Sequence, residues 1–312
     1  MLPSRRLFIK AGTALVAGAP LFGTRSCPAL AQDPTPLDVA YAGSMTSLME
    51  GPIKQLAAQR LNLALQGRAQ GASGLAALIA GGNITPDVFI SVTASPIETV
   101  IKAGKVEAAQ PIARTEMVIA YSPKSSFAQK LSNAGKKGNE AWWQVLEEPG
   151  LRFGRTDPVT DPQGRNIIFL IQLAASLYNQ PDLRDRILGA DNNPSQIFTE
   201  PSIEARLQSV ELDAASAYKI QPEPFGLPYI GLPAEINLSD SRRQADYAKA
   251  SLTLGGKLYH PEPLVYYAAV VKGSAHPNEA AAFVKWLGDA EAQAAFRRYS
   301  YDPAGNAASL HA

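Results

Sequence analysis

Two acidic residues stand where helices should begin. Asp161-Pro162 opens the run "DPQGRNIIFLIQLAASLYNQ", and Glu200-Pro201 opens "PSIEARLQS". A helix start exposes unpaired N–H groups and about half a positive charge, a place suited to anions. A carboxylate there either caps the helix or belongs to a binding site. Other polar residues fall at comparable junctions: Ser44 follows "LDVAYAG", Ser73 follows "LNLALQG", and Tyr218 ends "AASAY". Several helix starts aimed into one cleft would hold a small oxyanion without arginine or lysine. About six charge-assisted hydrogen bonds give roughly 9–18 kcal/mol gross, against about 12 kcal/mol net for nanomolar binding. The scheme is feasible with little to spare.

Each residue also has a plainer reading. Ser44, Ser73 and Asp161 are good N-caps, and Pro162 suits the first helical position. Asp157, in the neighbouring Asp-Pro pair, suits a turn. Tyr218 fits a half-buried strand. Glu200 is a poorer cap and asks more strongly for another role. Capping and binding are compatible, because a side chain can do one while nearby amides do the other.

The elements that would position these residues alternate between strand and helix. Strands are expected at 37–42, 61–67 and 87–92, with helices at 46–60, restarted at Pro52, and 73–82. From Glu116 the pattern restarts with a strand at 116–123, a helix at 138–150 capped by Asn139, a strand at 151–155 and the long helix from Asp161. A short helix at 201–209, a strand at 214–218 and a hairpin through Gly255-Gly256 follow. A last strand at 264–274 and a helix at 278–289 read as a return to the first unit. Such alternation predicts an α/β fold with mainly parallel sheets flanked by helices. The expected lobes are residues 32–115 plus 265–312, and residues 116–264, joined by two crossing strands around a ligand cleft.

Residues 1–31 read as an export signal. "SRRLFIK" carries the Arg5-Arg6 pair with Phe8 and Lys10, which resembles the twin-arginine type; an apolar run follows, and "ALA" ending at Ala31 fits a small-x-small cleavage site. The mature chain would then hold 25 basic and 28 acidic residues, a net charge of −3, and would lack the single cysteine, Cys27. No basic field remains to attract nucleic acid or an anionic membrane. Enzyme signatures are scarce. His260, His276 and His311 are isolated, which argues against zinc, and the sequence has no G-x-S-x-G, phosphate-loop or dinucleotide-loop motif.

The segments "AYAGSMTSLME", "GASGLAALI", "PDVFISV", "LRFGRTDPVTDPQGRN", "VELDAASAYK" and "YIGLPAEINLSD" resemble, in this order, the molybdate/tungstate-binding periplasmic proteins of ABC importers. The likeness is strongest to the tungstate/molybdate branch, with its D-P-x-G and L-P-x-E-I-N-L-S segments. It implies the two-lobe type II periplasmic-binding fold. It also implies that Ser44 and the Ser73 loop bind the oxyanion from one lobe, and Asp161, the Pro162-Gln163 backbone, Glu200 and Tyr218 from the other. In that branch two carboxylates, here Asp161 and Glu200, complete an octahedral shell around molybdenum or tungsten. Two positions depart from the pattern: Arg165-Asn166 stands where Tyr-Arg is common, and the Ser73 loop is one residue out of register, so Ala72 competes for that place. The resemblance implies a monomer without cofactor that passes molybdate or tungstate to an inner-membrane permease. Two alternatives stay open: the same fold with a sulfate-like, organic or ferric cargo, and an exported enzyme with Asp161 and Glu200 as an acid/base pair.

Overall fold

Among the described residues the chain builds two main sheets and a separate two-stranded hairpin. In the computed structural model, which describes residues 33–136 and 142–312, residues 34–312 form one compact unit. The export signal expected at 1–31 and the cap expected at Asn139 lie outside the described residues. Twelve strands are labelled in chain order: β1 Thr35–Ala42, β2 Leu63–Gln70, β3 Val88–Ser91, β4 Ala108–Arg114, β5 Met117–Tyr121, β6 Phe153–Gly154, β7 Ala214–Tyr218, β8 Tyr229–Gly231, β9 Leu252–Leu254, β10 Lys257–Tyr259, β11 Val265–Val270 and β12 Leu310–His311. The first sheet has the order β12-β4-β11-β3-β1-β2 and the second β6-β7-β5-β8, with β9 and β10 as a separate hairpin.

The α/β expectation holds, but the sheets are mixed rather than mainly parallel. β1/β2, β1/β3 and β6/β7 are parallel, while β11 runs antiparallel to β3 and β4, and β5 antiparallel to β7 and β8. The reason lies in the crossings. The chain leaves the first sheet after Arg114 to form β5 and returns at Val265 to form β11. A strand entering from the opposite sheet meets its neighbours head to tail. The two crossings are tied together, Thr115 donating its backbone N–H to Leu264 O at 3.0 Å. Lys219, one residue past the end of β7, reaches Asp302 at 3.1 Å and Glu116 at 3.6 Å. That bonds the strand bearing Tyr218 to the C-terminal segment beside β4.

Apolar residues of β1, β3, β5, β7 and β11 are buried almost throughout. The helix Pro162–Leu177 buries Ile167 to Ile171 as one run against this core. At about 1.5–3 kcal/mol per fully buried large aliphatic or aromatic side chain, that packing fixes the helix and hence its N-terminus. The break expected at Pro52 is present: Met49–Ile53 form a π turn with non-helical dihedrals at Gly51. The hairpin turns through Gly255 and Gly256 with positive φ values of 55° and 79°, open to glycine without strain.

Candidate oxyanion-binding site

Arg155, wholly buried at the end of β6, sets the frame for both carboxylates. Its backbone bridges to the 196–198 segment, Arg155 N donating to Gln196 O at 2.8 Å and Phe198 N to Arg155 O at 2.9 Å. Its guanidinium donates to Ala190 O at 2.9 Å and Gln196 Oε1 at 3.1 Å. Asp161 follows one side of this bridge and Glu200 the other.

The two Asp-Pro pairs divide their work. Asp157 Oδ1 accepts from Val159 N at 2.8 Å, and Asp161 N donates to Asp157 O at 2.8 Å, a side-chain turn as expected. Asp161 is the N-cap of helix Pro162–Leu177, its Oδ1 accepting from Gln163 N at 2.8 Å. The Gln163 amide, expected to face the anion, is thus engaged by the cap, and only the second Asp161 oxygen stands outside it. Gly164 allows the close return of the chain. A Cβ there would stand 2.4 Å from Thr156 O and 2.7 Å from Pro158 N, both backbone atoms that cannot swing aside. Gly164→Ala is therefore expected to lower stability by about 1–3 kcal/mol and to weaken anion binding by displacing Asp161. Denaturant unfolding and a ligand titration on the same variant check both.

Glu200 is the first residue of helix Glu200–Gln208, whose N-cap, Thr199, makes no side-chain cap bond. Its Oε1 accepts from Gln221 Nε2 at 2.8 Å. Its Oε2 points toward the first sheet, 3.8 Å from where a Gly43 Cβ would stand. Burial, with the charges of Asp161 and Glu204 beside it, pushes the Glu200 carboxyl up to about 8. Burial also raises Asp161, with partial relief from the Gln163 amide. The buried Tyr218 hydroxyl is raised by burial and then by Asp161, Tyr266 and Glu200. Asn166 Nδ2 donates to that hydroxyl at 3.0 Å, which leaves the phenolic proton free to donate elsewhere.

From the first sheet, Ser44 lies in the turn Gly43–Met45 directly after β1, its Oγ 3.0 Å from the hydroxyl of Tyr266 on β11. It is not a side-chain cap: the cap position belongs to Ala42. Burial raises the Tyr266 hydroxyl, and the Glu200 charge adds to it. Ser44 and Tyr266 of the first sheet are thus hydrogen-bonded to each other, and the charges of Glu200 and Asp161 bear on the hydroxyls of Tyr266 and Tyr218. Ser73 stands apart. The helix Ala72–Ala80 is capped by Gly71, and the exposed Ser73 lines a cleft of about 880 Å³ together with Pro162, Arg165 and Asn166. The lining of that cleft does not include Ser44, Asp161, Glu200 or Tyr218. Pro162 and Asn166 join the two regions, each lying in the helix that Asp161 caps.

Tyr266, Gln221 and Asn166 belong to this group without having been singled out from sequence. Tyr266 sits in the apolar run "LVYYAAVV", where nothing distinguishes it from Tyr267. Gln221 lies three residues past β7, beyond the strand ends where polar residues were sought. Asn166 was visible only as a departure from a family pattern.

Chemically, the group offers two carboxylates, each with one oxygen tied to an amide, together with the hydroxyls of Ser44, Tyr218 and Tyr266. Among the described residues, no three His, Cys, Asp or Glu side chains are grouped to hold a bare metal ion. An uncharacterized solute-binding protein of Methanococcus aeolicus is 30% identical over 281 residues, spanning 82% of this chain and 79% of its own. The molybdate/tungstate-binding protein WtpA of Pyrococcus abyssi is 29% identical over 211 residues, or 61% of this chain and 60% of that protein. Among solved structures, the substrate-binding domain of a putative molybdenum ABC transporter from Clostridium difficile superposes with a TM-score of 0.58. It has 15% identity and covers 86% of this chain and 99% of that one, a likeness of fold. With residues 37–302 matching the family described as bacterial extracellular solute-binding protein, the chain belongs to that family.

Proposed function

We propose that the protein captures molybdate or tungstate between residues 32–115 plus 265–312 and residues 116–264, acting as two lobes, and delivers it to an ABC permease of the inner membrane. In this reading residues 1–31 direct export to the periplasm, and the carrier works as a monomer. One observation supports it above the others: Asp161 and Glu200 each have one oxygen tied to an amide, and the Asp161 charge raises the Glu200 carboxyl. Hexavalent molybdenum and tungsten are Lewis acids that expand beyond four oxygens, so the outer carboxylate oxygens would become ligands. Ser44, Tyr266 and Tyr218 would donate to the oxo groups, with Pro162-Gln163 lining the same face and Ser73 serving the cleft approach. The molybdate/tungstate-binding relative in Pyrococcus supports the choice of cargo.

A thermal-shift series tests it. Tungstate and molybdate are expected to raise the melting temperature by mass action, while sulfate, phosphate and ferric ion do not; at ligand a hundredfold above Kd the gain is about 2.7 kcal/mol. Ser44→Ala should weaken tungstate binding about tenfold through loss of one donor. If both metal oxyanions leave the transition unmoved, the reading is wrong. Ferric iron is a poorer fit. Its tyrosine ligands would have to ionise, and burial with neighbouring negative charge holds the Tyr218 and Tyr266 hydroxyls protonated.

A further inference from the structure

We infer that Gln221 is a positioning residue that presents Glu200 to the bound metal oxyanion through a single oxygen, an inference that rests on the function proposed above. Both N–H groups and the carbonyl oxygen of its side chain are engaged at the site. Gln221 Nε2 donates to Glu200 Oε1 at 2.8 Å and to Gln163 Oε1 at 3.3 Å. Gln221 Oε1 accepts from Tyr218 N at 2.6 Å. The turn beneath it is fixed as well, Gln221 N donating to Tyr218 O at 2.9 Å. Gln163, its second partner, is anchored in turn by donation from Nε2 to Ser216 O at 3.0 Å. One amide therefore joins the start of helix Glu200–Gln208, the start of helix Pro162–Leu177 and the end of β7.

The consequence is a choice between two carboxylate oxygens. Oε1 commits one lone pair to the amide, which leaves Oε2, the oxygen facing Gly43 and the Ser44 turn, the less encumbered of the two. A bidentate grip on the metal would make Oε1 share its electron density between the amide proton and the metal, so the amide favours contact through Oε2 alone. A neutral donor matters too. Lysine or arginine at this position would hold Glu200 equally well but would cancel the charge of its ionised form, and with it the repulsion that form exerts on anions unable to accept a carboxylate ligand.

The test titrates purified protein with sodium tungstate and reads the tungsten coordination number by L-edge absorption. Q221E keeps the acceptor for Tyr218 N–H but removes the donor. Gln221→Asn keeps the amide but withdraws it by one methylene, and it is held to the same expectation should Q221E fold poorly. Each is expected to weaken tungstate binding about 10- to 100-fold, the range of a lost hydrogen bond to a charged group. Each should also reduce the oxygen count around tungsten from six toward five. In a Glu200→Gln background, where the introduced amide can donate to a carboxylate at position 221, Q221E should cost less than about twofold further. Variants that bind within about twofold of wild type, or losses that remain fully additive in that background, overturn the assignment of Gln221. Wild-type protein that shows four oxygens around tungsten, or no tungstate binding, refutes the carboxylate ligation itself and the role of Gln221 with it.

Discussion

Replacing both carboxylates by amides, Asp161→Asn with Glu200→Gln, is expected to lower tungstate affinity about a thousandfold and to raise sulfate affinity. Two effects act in opposite directions on the two anions. Tungstate loses two oxygen ligands to the metal, since a neutral amide oxygen is a far weaker donor than a carboxylate. Sulfate has no central atom able to take further oxygens, so it gains nothing from the carboxylates and is repelled by them where they are ionised, for Glu200 above about pH 8. Like charges at about 4 Å with an effective dielectric near 20 cost about 4 kcal/mol, or roughly a thousandfold. Discrimination by repulsion needs few residues and no shape difference between anions. The amides are near-isosteric, so the side-chain oxygen introduced at position 161 can still accept from Gln163 N and keep the helix capped. Competition calorimetry with tungstate and sulfate reads both changes. A double variant that still prefers tungstate over sulfate as strongly as the parent would show that the selector lies elsewhere.

The two carboxylates proposed as ligands are easier to read from sequence than the residues that hold them. Asp161 and Glu200 announce themselves because a carboxylate before proline at a helix start is a local pattern, written within a few residues. Ser44 stands out for the same reason. Gln221 and Tyr266 do not, because their importance lies in partners on other elements: Tyr266 is 222 positions from Ser44, and Gln221 meets Gln163 across 58. No local periodicity encodes such a distance. The same limit explains the sheets. Apolar runs mark β5 and β11 as strands, yet direction depends on which sheet the chain has just left. β4, "AAQPIAR", was not recognised at all, since a proline removes one ladder donor. The fold accommodates it where Pro111 pairs with Tyr267, beside the register shift at Tyr266/Tyr267. Proline disfavours an ordinary central strand and tolerates an irregular one. Ser73 shows the opposite failure. A helix does begin near Ser73, but its cap is Gly71 rather than Ser73, and Ser73 lines the cleft whose lining does not include the carboxylates.

Burying Glu200 before its ligand arrives should leave a pH signature on stability. Its carboxyl stands at about 8 in the folded protein against an ordinary value of 4.5. Between these values the folded chain keeps a proton that the unfolded chain has released, so stability falls as pH rises through this window and levels off above it. Below pH 4.5 both states are protonated and Glu200 contributes no difference. A shift of this size corresponds to a few kcal/mol, on the order of 3–5. Asp161 and Glu204, raised chiefly by burial, add in the same direction, while the Gln221 amide opposes it for Glu200. Glu200→Gln removes the titration and keeps a partner for Gln221. The ligand-free variant is therefore expected to melt roughly 5–10 °C above wild type at about pH 8.5, and within about two degrees of it at about pH 5. Tungstate should reverse the cost. Ligation requires the ionised carboxylate, so binding at about pH 7 should expel close to one proton (about 0.9 from a group near 8). Calorimetry in buffers of different ionisation enthalpy measures that number directly. An offset between variant and wild type that is equal at both pH values, with no proton expelled on binding, would mean that Glu200 is already ionised in the empty site. Its charge would then have to be balanced by some group other than Gln221.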